Sequence, residues 1–163
     1  YWLGATDMTA IRPSRFVGTE NRLQFISSSH QRVYKNFRES EYAKIVYEIR
    51  DDPNPDKFEN TRLLVKVENT NAFDDLEKKE TGVKIYPLLP GIKSFRFRYY
   101  RREREAQTGT WETVWDSSKN QTQGIYPDLI ELTIEVASYN RLSFKGTYFF
   151  KPETPFHGLD STL

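Results

Sequence analysis

Residues 88–100 constrain this chain most. Leu88-Leu89-Pro90-Gly91 runs into Ile92-Lys93-Ser94-Phe95-Arg96-Phe97-Arg98-Tyr99-Tyr100. From Phe95 to Tyr99 aromatic and basic side chains alternate strictly. Period-2 alternation sends successive side chains to opposite faces of an extended strand. Phe95, Phe97 and Tyr99 therefore predict a core face, and Arg96 and Arg98 a wet one. Pro-Gly ahead of this run predicts a turn, separating a strand at Gly82–Tyr86 from one at Lys93–Arg101.

Other segments repeat the pattern. Arg22–Ser28 centres on Leu23 and Phe25. Tyr42–Arg50 sets Ile45, Tyr47 and Ile49 on one face, and Thr61–Glu68 does the same with Leu63, Val65 and Val67. Asp51-Asp52-Pro53-Asn54-Pro55-Asp56 between them is a run of turn formers, which predicts a hairpin. Thr110–Trp115, Leu129–Ala137 and Leu142–Phe150 complete the strands. Asn71–Thr81 carries a weak helical pattern, and Trp2, Leu3 and Met8 suit the end of a helix begun upstream. The Ser/Asn/Gln-rich loop Asp116–Gly124 is expected to be mobile. An aromatic content of 15% suits sheet. The expectation is a mainly β domain of two packed antiparallel sheets, spanning residues 1–152, followed by a flexible tail at 153–163.

The charged residues give few leads. With 24 basic and 23 acidic residues the net charge is +1, too small to steer the chain to nucleic acid or an acidic membrane. Cysteine is absent, which removes disulfides, thiol catalysis and Cys-based zinc sites. Asp52-x-Asn54-x-Asp56 mimics the start of a calcium loop. Lys57 stands where such a loop needs Gly, however, and Leu63 where it needs a bidentate Glu. His30 follows Ser27-Ser28-Ser29, but no Gly-x-Ser-x-Gly elbow surrounds them; His157 stands alone in the tail. Arg96, Arg98, Arg101, Arg102 and Arg104 lie near Tyr99 and Tyr100, yet the alternation turns the aromatics away from the arginines, unlike a stacking platform. Glu131 and Glu135 fall on the wet side of their strand, positioned for cross-strand pairing with Arg96 and Arg98. No catalytic, cofactor-binding or metal-ligating residue is assigned, no cofactor is expected, and the chain is not expected to be an enzyme.

The order of three pieces resembles a known family. Leu88–Tyr100, Trp111-Glu112-Thr113-Val114-Trp115 and Tyr126–Val136, with its Pro127-x-x-Ile130-x-Leu132-Thr133 core, are similar to the J-type minor pseudopilins of bacterial type II secretion. Arg15–Ser28, His30–Asn36 and the stretch from Glu39 to Pro53 extend the likeness over most of the chain. The resemblance implies an α+β pseudopilin head, mainly β, against which an N-terminal helix packs. That helix, which anchors such proteins at the periplasmic face of the inner membrane, has no counterpart in these 163 residues. It also implies a non-enzymatic subunit of the pseudopilus tip, which primes pseudopilus assembly and supports export through the outer membrane. Its implied partners are the I-type and K-type minor pseudopilins, with the H-type and secreted cargo as further candidates. Two alternatives remain: a minor pilin of a type IV pilus or competence system, and a periplasmic β-sandwich binding a ligand such as a glycan through Trp111 and Trp115.

Overall fold

The computed structural model describes residues 2–3, 11–12, 16–27, 42–53, 61–70, 83–103, 108–119, 122, 125–137 and 142–152. Its elements are β1 (Trp2–Leu3), β2 (Ile11–Arg12), β3 (Val17–Gly18), β4 (Arg22–Ser27), β5 (Ala43–Asp51), β6 (Arg62–Asn69), β7 (Val83–Arg102), β8 (Gly109–Glu112), β9 (Trp115–Asp116), β10 (Leu129–Ala137) and β11 (Ser143–Phe150). No helix occurs among the described residues. β1 and β2 form a separate antiparallel ladder, so Trp2 and Leu3 are extended rather than the end of a helix. The suggested helix at Asn71–Thr81 and the tail at 153–163 lie outside the described residues.

Besides the β1–β2 ladder, the other described strands form one nine-stranded sheet, ordered β11-β10-β7-β6-β5-β4-β3-β9 with β8 added to β7, and two packed sheets are not seen among the described residues. The expected hairpin is present as β5 and β6, running from Lys44↔Asn69 to Asp51↔Arg62. The expected turn at Pro90-Gly91 is not a reversal. β7 passes through it as a single 20-residue strand. Residues 83–92 pair with β6, and residues 92–100 pair with β10 along the opposite edge. Proline has no N–H to give to a ladder and is tolerated at irregularities. Pro87 and Pro90 fall where the β6 register slips twice, between Arg62 and Leu64 and between Leu64 and Val65. Gly91 takes a positive φ of 76°, which costs a residue bearing Cβ. A third slip, between Glu135 and Val136, omits Lys93 and returns Ile92 to the core face. The strand bends here instead of ending.

The bend folds the sheet over its own core. Phe95, Phe97 and Tyr99 alternate inward as predicted and meet Ile130 and Ile134 of β10, Leu23 of β4, Phe16, Ile92 and Trp115. Aromatic geometry stiffens the cluster. Phe95 meets Phe97 edge-on at 4.9 Å, and Phe16 meets Tyr99 edge-on at 6.0 Å. Each such pair adds about 0.5–1.5 kcal/mol beyond burial. The β3–β4 turn closes the curl: Phe97 N–H donates to the Glu20 carbonyl at 2.8 Å, and the Tyr99 hydroxyl donates to the Thr19 carbonyl at 2.9 Å. Gly18 lies so close to the Tyr99 ring that only a glycine fits.

Candidate interaction surface

The outward face of β7, β8, β10 and β11 carries the most elaborate polar arrangement among the described residues. Register places Glu131 opposite Arg98 and next to Phe149. Arg98 donates from Nε and Nη2 to the two Glu131 oxygens, each at 2.7 Å, a bidentate pair. The cross-strand charge pairing foreseen for these strands is therefore made by Arg98 and Glu131, whereas Arg96 faces Thr133 and Ser94 faces Glu135. Glu131 is not the exposed carboxylate expected: it is only 6% exposed. Trp111 on β8 covers the Arg98 guanidinium at 5.0 Å and touches both Tyr100 and Phe149. The Arg98 hydrogen bonds, aided by the charges of Arg98 and Arg96, hold the Glu131 carboxyl below its ordinary value, and the same bonds raise Arg98.

Beside this cluster a cleft of about 540 Å³ opens between β8 and β9. Arg101, Glu112, Asp116 and Lys119 line it, and the Arg101 guanidinium lies 5.3 Å over the Trp115 ring. Trp115 forms part of the floor and is 2% exposed, its indole N–H bound to the Ile125 carbonyl at 3.0 Å. Trp111 is thus the exposed member of the Trp111/Trp115 pair and Trp115 a core residue. The loop following Trp115 is tied down where it is described. Ser117, 1% exposed, accepts the Phe16 N–H on its hydroxyl at 2.8 Å and donates its own N–H to the Phe16 carbonyl at 2.9 Å. Thr122 is also buried, and its hydroxyl bonds the Asp116 carbonyl at 2.5 Å.

Two further exposed surfaces are apolar. Ile85, Tyr86, Leu88 and Leu89 project from the first half of β7, and Leu142, Phe144, Tyr148, Phe149 and Phe150 surround β11. Interfaces draw their energy from a few such aromatics.

Most of the residues weighed for chemistry lie outside the described part of the chain. Ser28, His30 and His157 lie outside the described residues, as do Asn54, Asp56 and Lys57 of the calcium-like loop. Among the described residues no group of three or more His, Cys, Asp or Glu side chains could hold a metal. Arg96 and Arg98 face away from Phe95, Phe97 and Tyr99, as the alternation predicted. Lys66 and Glu68 form an ion pair at 2.7 Å that sequence reasoning missed; their i, i+2 spacing on a strand was the available signal. The hydrogen bond to Glu68 is the main cause of a raised Lys66.

Comparison with known proteins adds two findings. The family model for type II secretion system (T2SS), protein J, matches residues 7–144. Among solved structures, a chain of the crystal structure of the GspK-GspI-GspJ complex from enterotoxigenic Escherichia coli Type 2 Secretion System shares the fold, with a TM-score of 0.50 at 14% identity. The likeness covers 88% of this chain and 79% of that one. No curated protein matches the sequence.

Proposed function

Since this chain belongs to the protein J family of the type II secretion system, a minor pseudopilin family, we propose that it works by assembly and not by catalysis. The observation that carries this reading is the family match across residues 7–144, joined to a fold shared with a chain of a pseudopilin complex. The proposed role is a subunit of the pseudopilus tip, bound to its own system's I-type and K-type subunits. In the enterotoxigenic Escherichia coli complex the named components are GspK, GspI and GspJ. The chain would prime pseudopilus growth and support export through the outer membrane. In the cell it would sit at the periplasmic face of the inner membrane, held by an N-terminal helix packed against the head. No helix among the described residues is long and apolar enough to cross a membrane.

Physical features support a scaffold of this kind. The curled sheet fixes the outward side chains through backbone ladders, and exposed aromatics supply anchors. The glycan alternative loses its second tryptophan, since Trp115 is buried.

The test is reconstitution. The purified chain is mixed with the I-type and K-type heads from the same gene cluster and run by size exclusion with light scattering. A 1:1:1 complex is expected. A folded chain that binds neither subunit alone nor both together refutes the reading. Mass spectrometry on native membranes tests the anchor: an N-methylated Phe before about 20 apolar residues is expected, and a cleaved secretory signal refutes it.

A further inference from the structure

β11 ends the sheet and, among the described residues, pairs only with β10. Exposed edges in natural proteins are usually blunted by lysine, proline, bulges or short length. This one has Lys145 but none of the other devices. It is eight residues long, contains no proline, and keeps unbroken register with β10 from Ile130↔Phe150 to Ala137↔Ser143. Aromatics stand exposed on both of its faces: Phe144 at 61%, Tyr148 at 45% and Phe150 at 49% on the core side, Phe149 at 55% on the other. A row of N–H and C=O groups that no other described strand pairs with, flanked by such side chains, recognises another extended strand.

The sequence of β11 points to which strand. We propose that β11 pairs antiparallel with β11 of a second copy, across a two-fold axis normal to the sheet through Thr147. This goes beyond the secretion reading and does not depend on it. Such an axis keeps like faces together, so Phe144 meets Phe150 of the copy, Gly146 meets Tyr148, Lys145 meets Phe149, and Ser143 meets Lys151. No lysine opposes a lysine. The Tyr148 ring already leans over Gly146 of its own strand, where an added Cβ would stand 2.8 Å from it. In the pair each glycine gap also faces the copy's Tyr148, and aromatics facing glycines support a strand pair. Sliding the register by two residues one way sets Lys145 against Lys151; the other way sets glycine against glycine. The register through Thr147 satisfies charge and packing together.

Because the chain has no cysteine, one introduced thiol reads the register directly. Thr147 is exposed, on the face away from the core. In the proposed pair its Cα lies about 4.5–5.5 Å from its own copy, within the span of a disulfide. Ser143, also exposed, would lie about 27 Å from its copy. Under mild oxidation, Thr147→Cys is expected to form a covalent dimer at least tenfold faster than Ser143→Cys. Equal rates overturn the proposal. Sedimentation of the unmodified chain should show a monomer–dimer equilibrium between roughly ten micromolar and millimolar; a monomer throughout, or open-ended aggregation, overturns it. Phe149→Lys sets like charges opposite Lys145 twice and should weaken dimerisation about tenfold. Adding Lys145→Glu should restore it. Failure of that rescue, with both variants folded by circular dichroism, marks mere apolar stickiness and overturns the proposal.

Discussion

Gly18→Ala is the sharpest probe of how the sheet closes. A Cβ at this position would stand 2.2 Å from Cζ and Oη of Tyr99 and 2.6 Å from Cε1, distances at which something must move. Little can. Tyr99 is fully buried, held edge-on by Phe16, stacked with Phe97, and bonded through its hydroxyl to the Thr19 carbonyl. Gly18 is fixed by ladders to Leu23 and Trp115 on its two sides. Overpacking a core costs about 1–3 kcal/mol, and losing the tyrosine hydrogen bond adds about 1 kcal/mol. The expected loss is therefore about 3 kcal/mol. For a chain of this size that lowers Tm by roughly 6–12 °C, read by calorimetry or circular dichroism. Tyr99→Leu removes the ring and should absorb the clash. The double variant should then be about as stable as Tyr99→Leu alone, a coupling well outside additivity. A Gly18→Ala protein within 0.5 kcal/mol of the parent, or strict additivity in the cycle, would refute the claim that this contact closes the curl.

Three other substitutions test separate contacts. Ser117→Ala strips the buried Phe16 N–H of its acceptor and should cost about 1–3 kcal/mol in urea denaturation, more than Ser118→Ala in the same loop. Gly91→Ala forces an L side chain to adopt φ 76°, which should cost about 1–2 kcal/mol of thermal stability while leaving the β-rich circular dichroism spectrum intact. Glu131→Gln breaks the bidentate bond to Arg98, partly compensated by water, and should cost about 1–2 kcal/mol at pH 7. Folding lowers the Glu131 pKa, so its contribution is present above its ordinary value of 4.5 and is lost as pH falls below it. The parent should lose stability faster than Glu131→Gln between pH 4.5 and pH 3, and parallel acid profiles would contradict the pairing.

What could be read from the sequence was whatever local periodicity determines. The inward row Phe95, Phe97, Tyr99, the β5–β6 hairpin and the outward Arg98 each follow from two-residue alternation, and each is present. Pro90-Gly91 misled because proline and glycine mark both turns and bulges. Which one forms depends on strands distant in sequence: β6 and β10 grip opposite edges of β7 and carry it through. Trp111 and Trp115 have the same residue type four positions apart, and only the pairing of β9 with β3 sends Trp115 into the core. Glu131 is buried beside Arg98, itself under Trp111 of β8, again through long-range contacts. Surface character, the property that matters for an assembly subunit, is thus the least local one.

The bend in β7 connects these observations. A 20-residue strand held straight would present one flat, exposed edge after another. Two prolines and one left-handed glycine instead let it serve two half-sheets, pairing β6 before the bend and β10 after it. Curling buries the aromatic row and brings the β3–β4 turn onto the second half of β7, covering that edge at Phe97 and Tyr99. The same arrangement leaves β10 and β11 extending outward, with β11 the last strand and its aromatics exposed. Stability is therefore concentrated at the Tyr99 closure and recognition at the outer strands. Substitutions in the first should lower Tm while leaving binding by the folded molecules nearly unchanged. Exposed changes such as Phe149→Lys should alter association with no Tm loss beyond that of the Trp111 contact, and finding the reverse would break this division.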